Sequence, residues 1–388
     1  MGFINKNIEK IEITGIRKFF NKVKDVEDAI SMTIGQPDFP VPKAVKEEMI
    51  NAINKDKSGY TKNEGIVELR EEISKYLLNQ KINYSIDEIC ITTGGSEAIF
   101  SSIKAILNEG ETILVPDPAY PAYEGCIKMG GGKIKKYSLT EEFQPNFSEI
   151  EEILATEKNI KGIIISYPCN PTGSILSKES YNKLIEIFKS KDIVIISDEM
   201  YSSIIFEEEY YSVAQSKELA DKIILIGGFS KIFSMTGLRV GYVCAKKEML
   251  SKINVVHQHN VTCAPSIAQW GAVAGLKSSM NEVMQRNEEF KKRRDYICGR
   301  LKKMGIKVQV PKGAFYLFID MRFTNIKSEE LCDRLLYEQK VAMVPGSAFG
   351  EKGEGFVRLS YSYSMEELKE GLDRMEMWLN KNKLIKTN

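Results

Sequence analysis

The sequence predicts an α/β protein with a mainly parallel central sheet, helices on both faces, and a smaller α+β domain at the C-terminal end. Two observations predict it. Six short aliphatic runs alternate with segments of helical spacing, and each run is apolar on both faces, as strands covered on both sides must be. After about Ser279 the alternation stops, and one long charged helix with sparser strands follows. At 388 residues the chain exceeds one ordinary core, which separately argues for two domains.

In chain order, Val67 to Leu78 reads as a helix, with Leu69, Ile73, Tyr76 and Leu77 on one face. The strand candidates are Glu88 to Thr92, Thr112 to Val115, Gly162 to Ser166, Ile193 to Ser197, Ile223 to Ile226 and Val240 to Ala245. Helices are expected to begin near Ser96 and near Lys178, giving βαβ units. Asn281 to Met304 forms a single long helix, stopped by Gly305 as the residue just past its end. Strands at Ala314 to Ile319 and Phe356 to Tyr361, with helices at Ser328 to Glu338 and Ser364 to Asn380, complete the smaller domain. The expected organisation is residues 1–40 joining the small domain, 41–280 forming the large one, and 281–388 the small one.

Composition excludes several classes of function. With 54 basic and 53 acidic residues well mixed, the net charge of +1 offers no footprint for nucleic acid or an anionic membrane. No apolar run approaches the roughly eighteen residues of a membrane-spanning helix. The opening MGFINKNIEKIE lacks the apolar stretch of a secretory signal, and Lys6 stands where a myristoylation site needs Ser or Thr. Seven scattered cysteines without a CxxC suit a reducing cytoplasm and no disulfide framework. The histidines, His257 and His259, have no obvious further ligands nearby, so no metal is expected.

Ligands of open α/β sheets bind beyond the carboxyl ends of the strands. There the sequence places Gly94, Gly95 and Ser96 before a helix, then Tyr120, Asn170, Asp198 with Tyr201, Ser230 with Lys231, and Arg239. Gly94-Gly95 alone reads as an ordinary turn, as does Asn170-Pro171. A carboxylate ending an aliphatic strand, as Asp198 does, is costly to bury without a partner. Together these residues supply a phosphate cradle, an aromatic ring, an amide, a carboxylate, a phenol, an amine and a guanidinium. A phosphate-bearing aromatic aldehyde held on an amine needs such a set. No GxGxxG, GxxxxGK[ST], GxSxG or HExxH occurs, which weakens dinucleotide, P-loop, hydrolase and metalloprotease readings.

The block SKIFSMTGLRVG, Ser230 to Gly241, resembles the lysine motif of class I (fold type I) pyridoxal-phosphate-dependent aminotransferases. The blocks IGQPDF, YTKNEGIVELR, TGGSEAI, PAYPAY, NPTG, SDEMY and FVRLSYS extend the resemblance over nearly the whole chain. ITGIRKFF and KINVVHQHNVTCAPSIAQ look like the Bacillus-type aminotransferase A group, thought to act on N-acetyl-diaminopimelate or related amino acids. The resemblance implies pyridoxal phosphate held by Lys231 as a Schiff base, Asp198 at the ring nitrogen, Tyr201 and Asn170 at the ring oxygen, and Tyr120 on the ring face. Gly95, Ser96, Ser230 and Arg239 are implied at the phosphate, with Tyr60 reaching the phosphate of the neighbouring subunit in a homodimer with shared active sites. Arg358 is implied at the substrate α-carboxylate, with Gly35 beside it.

What the resemblance implies is transfer of an amino group from an amino acid to a 2-oxo acid such as 2-oxoglutarate. In relatives the segment Ile13 to Phe20 packs over the site entrance, so Ile16 and Arg17 are implied at the far end of the substrate. A guanidinium there would suit an acidic or acylated side chain, although a solvated surface arginine is the simpler reading of Arg17. Two alternatives share most of these residues. One is a carbon–sulfur β-lyase on the same fold, and the other a non-catalytic ligand-binding protein.

Overall fold

The computed structural model describes residues 5–9 and 11–385; the MGFI opening therefore lies outside the described residues. Among the described residues there are twelve strands: β1 (Ile30–Ser31), β2 (Ile89–Thr92), β3 (Thr112–Asp117), β4 (Lys133–Ser138), β5 (Ile160–Ser166), β6 (Val194–Asp198), β7 (Ile223–Gly228), β8 (Gly241–Cys244), β9 (Tyr316–Asp320), β10 (Val341–Ala342), β11 (Val344–Pro345) and β12 (Phe356–Ser360). The central sheet has the order β2-β8-β7-β6-β5-β3-β4. β8 alone runs against its neighbours β2 and β7, and the other pairs are parallel.

Each expected aliphatic run forms a strand, and the reason lies in how its side chains alternate. Ile163, Ile165, Ile195 and Leu225 enter one apolar cluster, while Ile164, Ile196, Ile224 and Ile226 enter another on the opposite face. Both faces are covered by helices, so the middle of each of these strands is apolar and polar residues gather toward the ends. Each fully buried aliphatic side chain contributes about 1.5–3 kcal/mol relative to exposure. The sequence reading passed over β4. Its KIKKYS sequence lies at the sheet edge, where lysines keep the open side from pairing with another chain.

The long helix spans Met280–Lys303, and Gly305 follows it with φ +77°. β9, β11 and β12 form an antiparallel sheet in the order β11-β12-β9. Strand β1 pairs with β10, and Phe19, Val23 and Met32 share an apolar cluster with Leu372, Met375 and Trp378. Ser364 caps the last helix, Met365–Lys381, through a reciprocal pair with Glu367. Among the described residues no helix is long and apolar enough to cross a membrane.

Candidate active site

Parallel pairing brings the polar strand ends to one edge. Ser166, the last residue of β5, is in register with Asp198, the last of β6, and Asp198 with Ile226 of β7. Beyond β2 the chain enters the helix Gly94–Ile106, and beyond β7 the short helix Phe229–Ile232 carries Ser230 and Lys231. Together these ends enclose a cavity of about 280 Å³. Gly35, Gly95, Ser96, Tyr120, Asn170, Asp198, Tyr201, Ser230, Lys231, Arg239, Arg358 and Ile16 all line it.

Two glycines make room for the site. Gly94 has φ +73°, and a Cβ there would stand 2.7 Å from the Arg239 guanidinium. A Cβ on Gly35 would overlap the Tyr316 hydroxyl, at 1.7 Å. The first turn of the Gly94 helix therefore faces Arg239 and Ser230 with backbone N–H groups, an arrangement that favours an anion.

The electrostatics are unbalanced. Lys231 is half-buried, and its Nζ donates to the Gly35 carbonyl at 2.5 Å. Burial, reinforced by the Arg358 and Arg239 charges, pushes its pKa down to about 8. Asp198 is pushed up by burial, an effect opposed by hydrogen bonds from the Tyr123 hydroxyl at 2.6 Å and the Met200 N–H at 3.2 Å. Arg358 is 2% exposed. It donates to Asn170 Oδ1 at 2.9 Å and to the Thr33 carbonyl, and it lies 4.5 Å over the Tyr316 ring. Its Nε has no partner among the described residues. Arg239 donates to the Thr236 carbonyl at 2.9 Å. Three cationic groups thus face a small cavity whose carboxylate is Asp198.

Sequence reasoning missed Tyr123, Ser166, Met200 and Tyr316, all of which line the cavity. Tyr123 stands three residues after Tyr120 in PAYPAY, in the first turn of the helix Ala122–Met129, and its ring meets that of Tyr120 edge to face at 5.6 Å. Tyr316 was hidden inside an apolar strand, and its hydroxyl meets that of Tyr201 at 2.7 Å. Two nominated residues lie elsewhere. Tyr60 is 88% exposed, on a loop tied down by Ser266 to the Gly59 carbonyl and by Asn63 to the Thr262 carbonyl. Arg17 is exposed beside Phe20 and does not line the cavity. Successive residues of the helix Gly15–Lys24 point about 100° apart, so with Ile16 facing the cavity Arg17 faces away.

The donor set fits pyridoxal phosphate: an anion cradle, a carboxylate for a basic ring nitrogen, and, for an aldehyde, an amine whose pKa is lowered to about 8. Fold and site together define a transferase of fold type I, the class built around that cofactor. The family model for aminotransferases of class I and II matches residues 27–375, and the chain belongs to this family. It is 40% identical to a Bacillus subtilis protein described as a probable N-acetyl-LL-diaminopimelate aminotransferase, over 98% of this chain and 96% of that one. It is 37% identical to the aspartate aminotransferase of Thermotoga maritima, over 97% and 99%. The solved aromatic aminotransferase of Pyrococcus horikoshii superposes with a TM-score of 0.89 at 35% identity, over 94% of this chain and all of that one. The protein is accordingly an aminotransferase, an enzyme.

Proposed function

We propose that Lys231 carries the cofactor as a Schiff base and then serves as the base that moves the substrate's Cα proton. When bound, pyridoxal phosphate supplies an aldehyde that captures the amino group and a ring that takes up the electrons left at Cα. Lys231 Nζ, free above about pH 8, would take the proton from Cα and hand it to the cofactor carbon that had borne the aldehyde. Asp198 holds a proton on the ring nitrogen, with Tyr123 keeping its carboxylate oriented. Tyr201 and Asn170 bind the ring oxygen, Tyr120 covers the ring, and Gly95, Ser96, Ser230 and Arg239 hold the phosphate. Arg358 grips the α-carboxylate next to Gly35, and Ile16 meets the substrate side chain.

The observation that carries this reading is Arg358, a buried guanidinium with a free N–H and no carboxylate partner among the described residues, lining the same cavity as Lys231. A carboxylate would complete its fork in a way a lysine could not reproduce. Arg358→Lys should therefore raise KM for amino acids roughly ten- to a hundredfold, while a decarboxylated amine reacts at the wild-type rate. An equal loss with both would remove Arg358 from the carboxylate.

The proposed donors are N-acetyl-diaminopimelate or a broad range of amino acids, with 2-oxoglutarate as acceptor. The test is a donor screen with 2-oxoglutarate and pyruvate. Glutamate formed in step with donor loss supports it, whereas pyruvate and ammonia from cystathionine would assign the β-lyase instead.

A cofactor-binding unit of residues 41–280 and a second unit of 281–388 joined by 1–40 are also proposed. The β1–β10 pairing supports this, and so does the placement of Gly35 and Arg358 opposite Lys231. The seven cysteines are free, which supports a cytoplasmic setting. A homodimer with shared sites is proposed from the exposure of Tyr60. Mixing Tyr60→Phe and Lys231→Ala chains should create one unaltered site per heterodimer and raise activity above that of Tyr60→Phe alone. No gain would refute sharing.

A further inference from the structure

Behind the anion cradle lies a second polar pair. The helix Lys247–Val261 packs along the helix Gly94–Ile106 and buries His257 completely. His259, two residues on, is exposed, so the two rings do not share a face of the helix. His257 Nδ1 lies 3.1 Å from Glu97 Oε2, and the same oxygen accepts the Thr93 N–H at 3.0 Å. Ser101 Oγ donates to the other oxygen. Thr93 turns its carbonyl toward Arg239, 3.5 Å away. From the β8 side, a Cβ on Gly241 would meet the Gly94 carbonyl carbon at 2.7 Å. The turn from Thr93 to Gly95 is thus held between β8 and Glu97, and Glu97 is held by His257.

Packing alone does not account for a histidine here. Its Nε2 is buried with no partner among the described residues, and an apolar side chain would avoid that cost. We propose that His257 is a positioning residue for the phosphate end of the site: acting through Glu97, it fixes the Thr93–Gly95 turn at the distance from Arg239 that a phosphate requires. The inference rests on the cofactor reading above. Groups behind the ones that touch a ligand commonly set its affinity in this way.

The test uses full-length protein stripped of cofactor, titrated by absorbance with pyridoxal phosphate and with unphosphorylated pyridoxal. His257→Leu removes the link to Glu97. His257→Gln also breaks it while staying polar, so the prediction survives a Leu variant that does not fold. His257→Asn places an N–H close to where Nδ1 stood. Leu and Gln should weaken pyridoxal phosphate about ten- to a hundredfold and change pyridoxal by less than about threefold, with Asn near wild type. Equal losses for both aldehydes, or unchanged affinity for the phosphorylated one, would overturn the proposal. Wild-type protein that captures neither aldehyde would instead overturn the cofactor reading, before any variant is compared.

Discussion

Lys231→Ala is expected to abolish measurable transamination, with a loss of at least about ten-thousandfold, the upper range for one positioned general base. The loss should be this large because one amine performs two tasks, holding the cofactor and moving the proton. Borohydride treatment of the wild type should fix a phosphopyridoxyl group on the peptide containing Lys231, and label on another lysine would overturn the assignment. The lowered pKa adds a sign that can be checked. Burial and two guanidinium groups disfavour the charged ammonium, so the amine is freed near pH 8 and not near 10.5. Capture of the aldehyde by stripped protein should rise with pH and level off above about 8. A rise that continues to pH 10 would mean that Lys231 is not so perturbed.

The second large effect belongs to Asp198→Asn, which keeps shape and removes charge. Electrostatic stabilisation of this kind is worth roughly 3–4 kcal/mol, a hundred- to a thousandfold in rate. The loss should fall on exchange of the substrate Cα hydrogen for deuterium, with binding of the amino acid little altered. Near-normal exchange in that variant would show that the ring nitrogen does not depend on a carboxylate. Tyr123 bears on the same point, since its hydroxyl helps keep Asp198 ionised despite burial.

Much of the cavity was legible because parallel strands report their ends locally. Asp198, Asn170, Lys231 and Ser96 each follow an aliphatic run, and the rule that ligands sit at carboxyl ends needs no tertiary information. Arg358 and Gly35 were legible only through motifs, because they enter from segments far away in the chain. Gly35 shows why: what demands a glycine is a Tyr316 hydroxyl almost three hundred residues away. β4 escaped because an edge strand need not be apolar, and Tyr316 because half its ring surroundings are core. The orientation of Arg17 turned on where its helix begins, at Gly15, a boundary no pattern in ITGIRKFF announces.

The crowding of positive charge around one small cavity also links the stability of the folded chain to occupation of that cavity by an anion. Unfolded, Lys231 would titrate near 10.5, and folded near 8, so the native state binds fewer protons between those values. The resulting penalty, on the order of 3 kcal/mol, is present in full below about pH 8 and fades as pH rises toward 10.5. An anionic ligand that binds only the folded chain offsets it by mass action. Protein stripped of such a ligand should therefore unfold at a lower temperature than protein saturated with it.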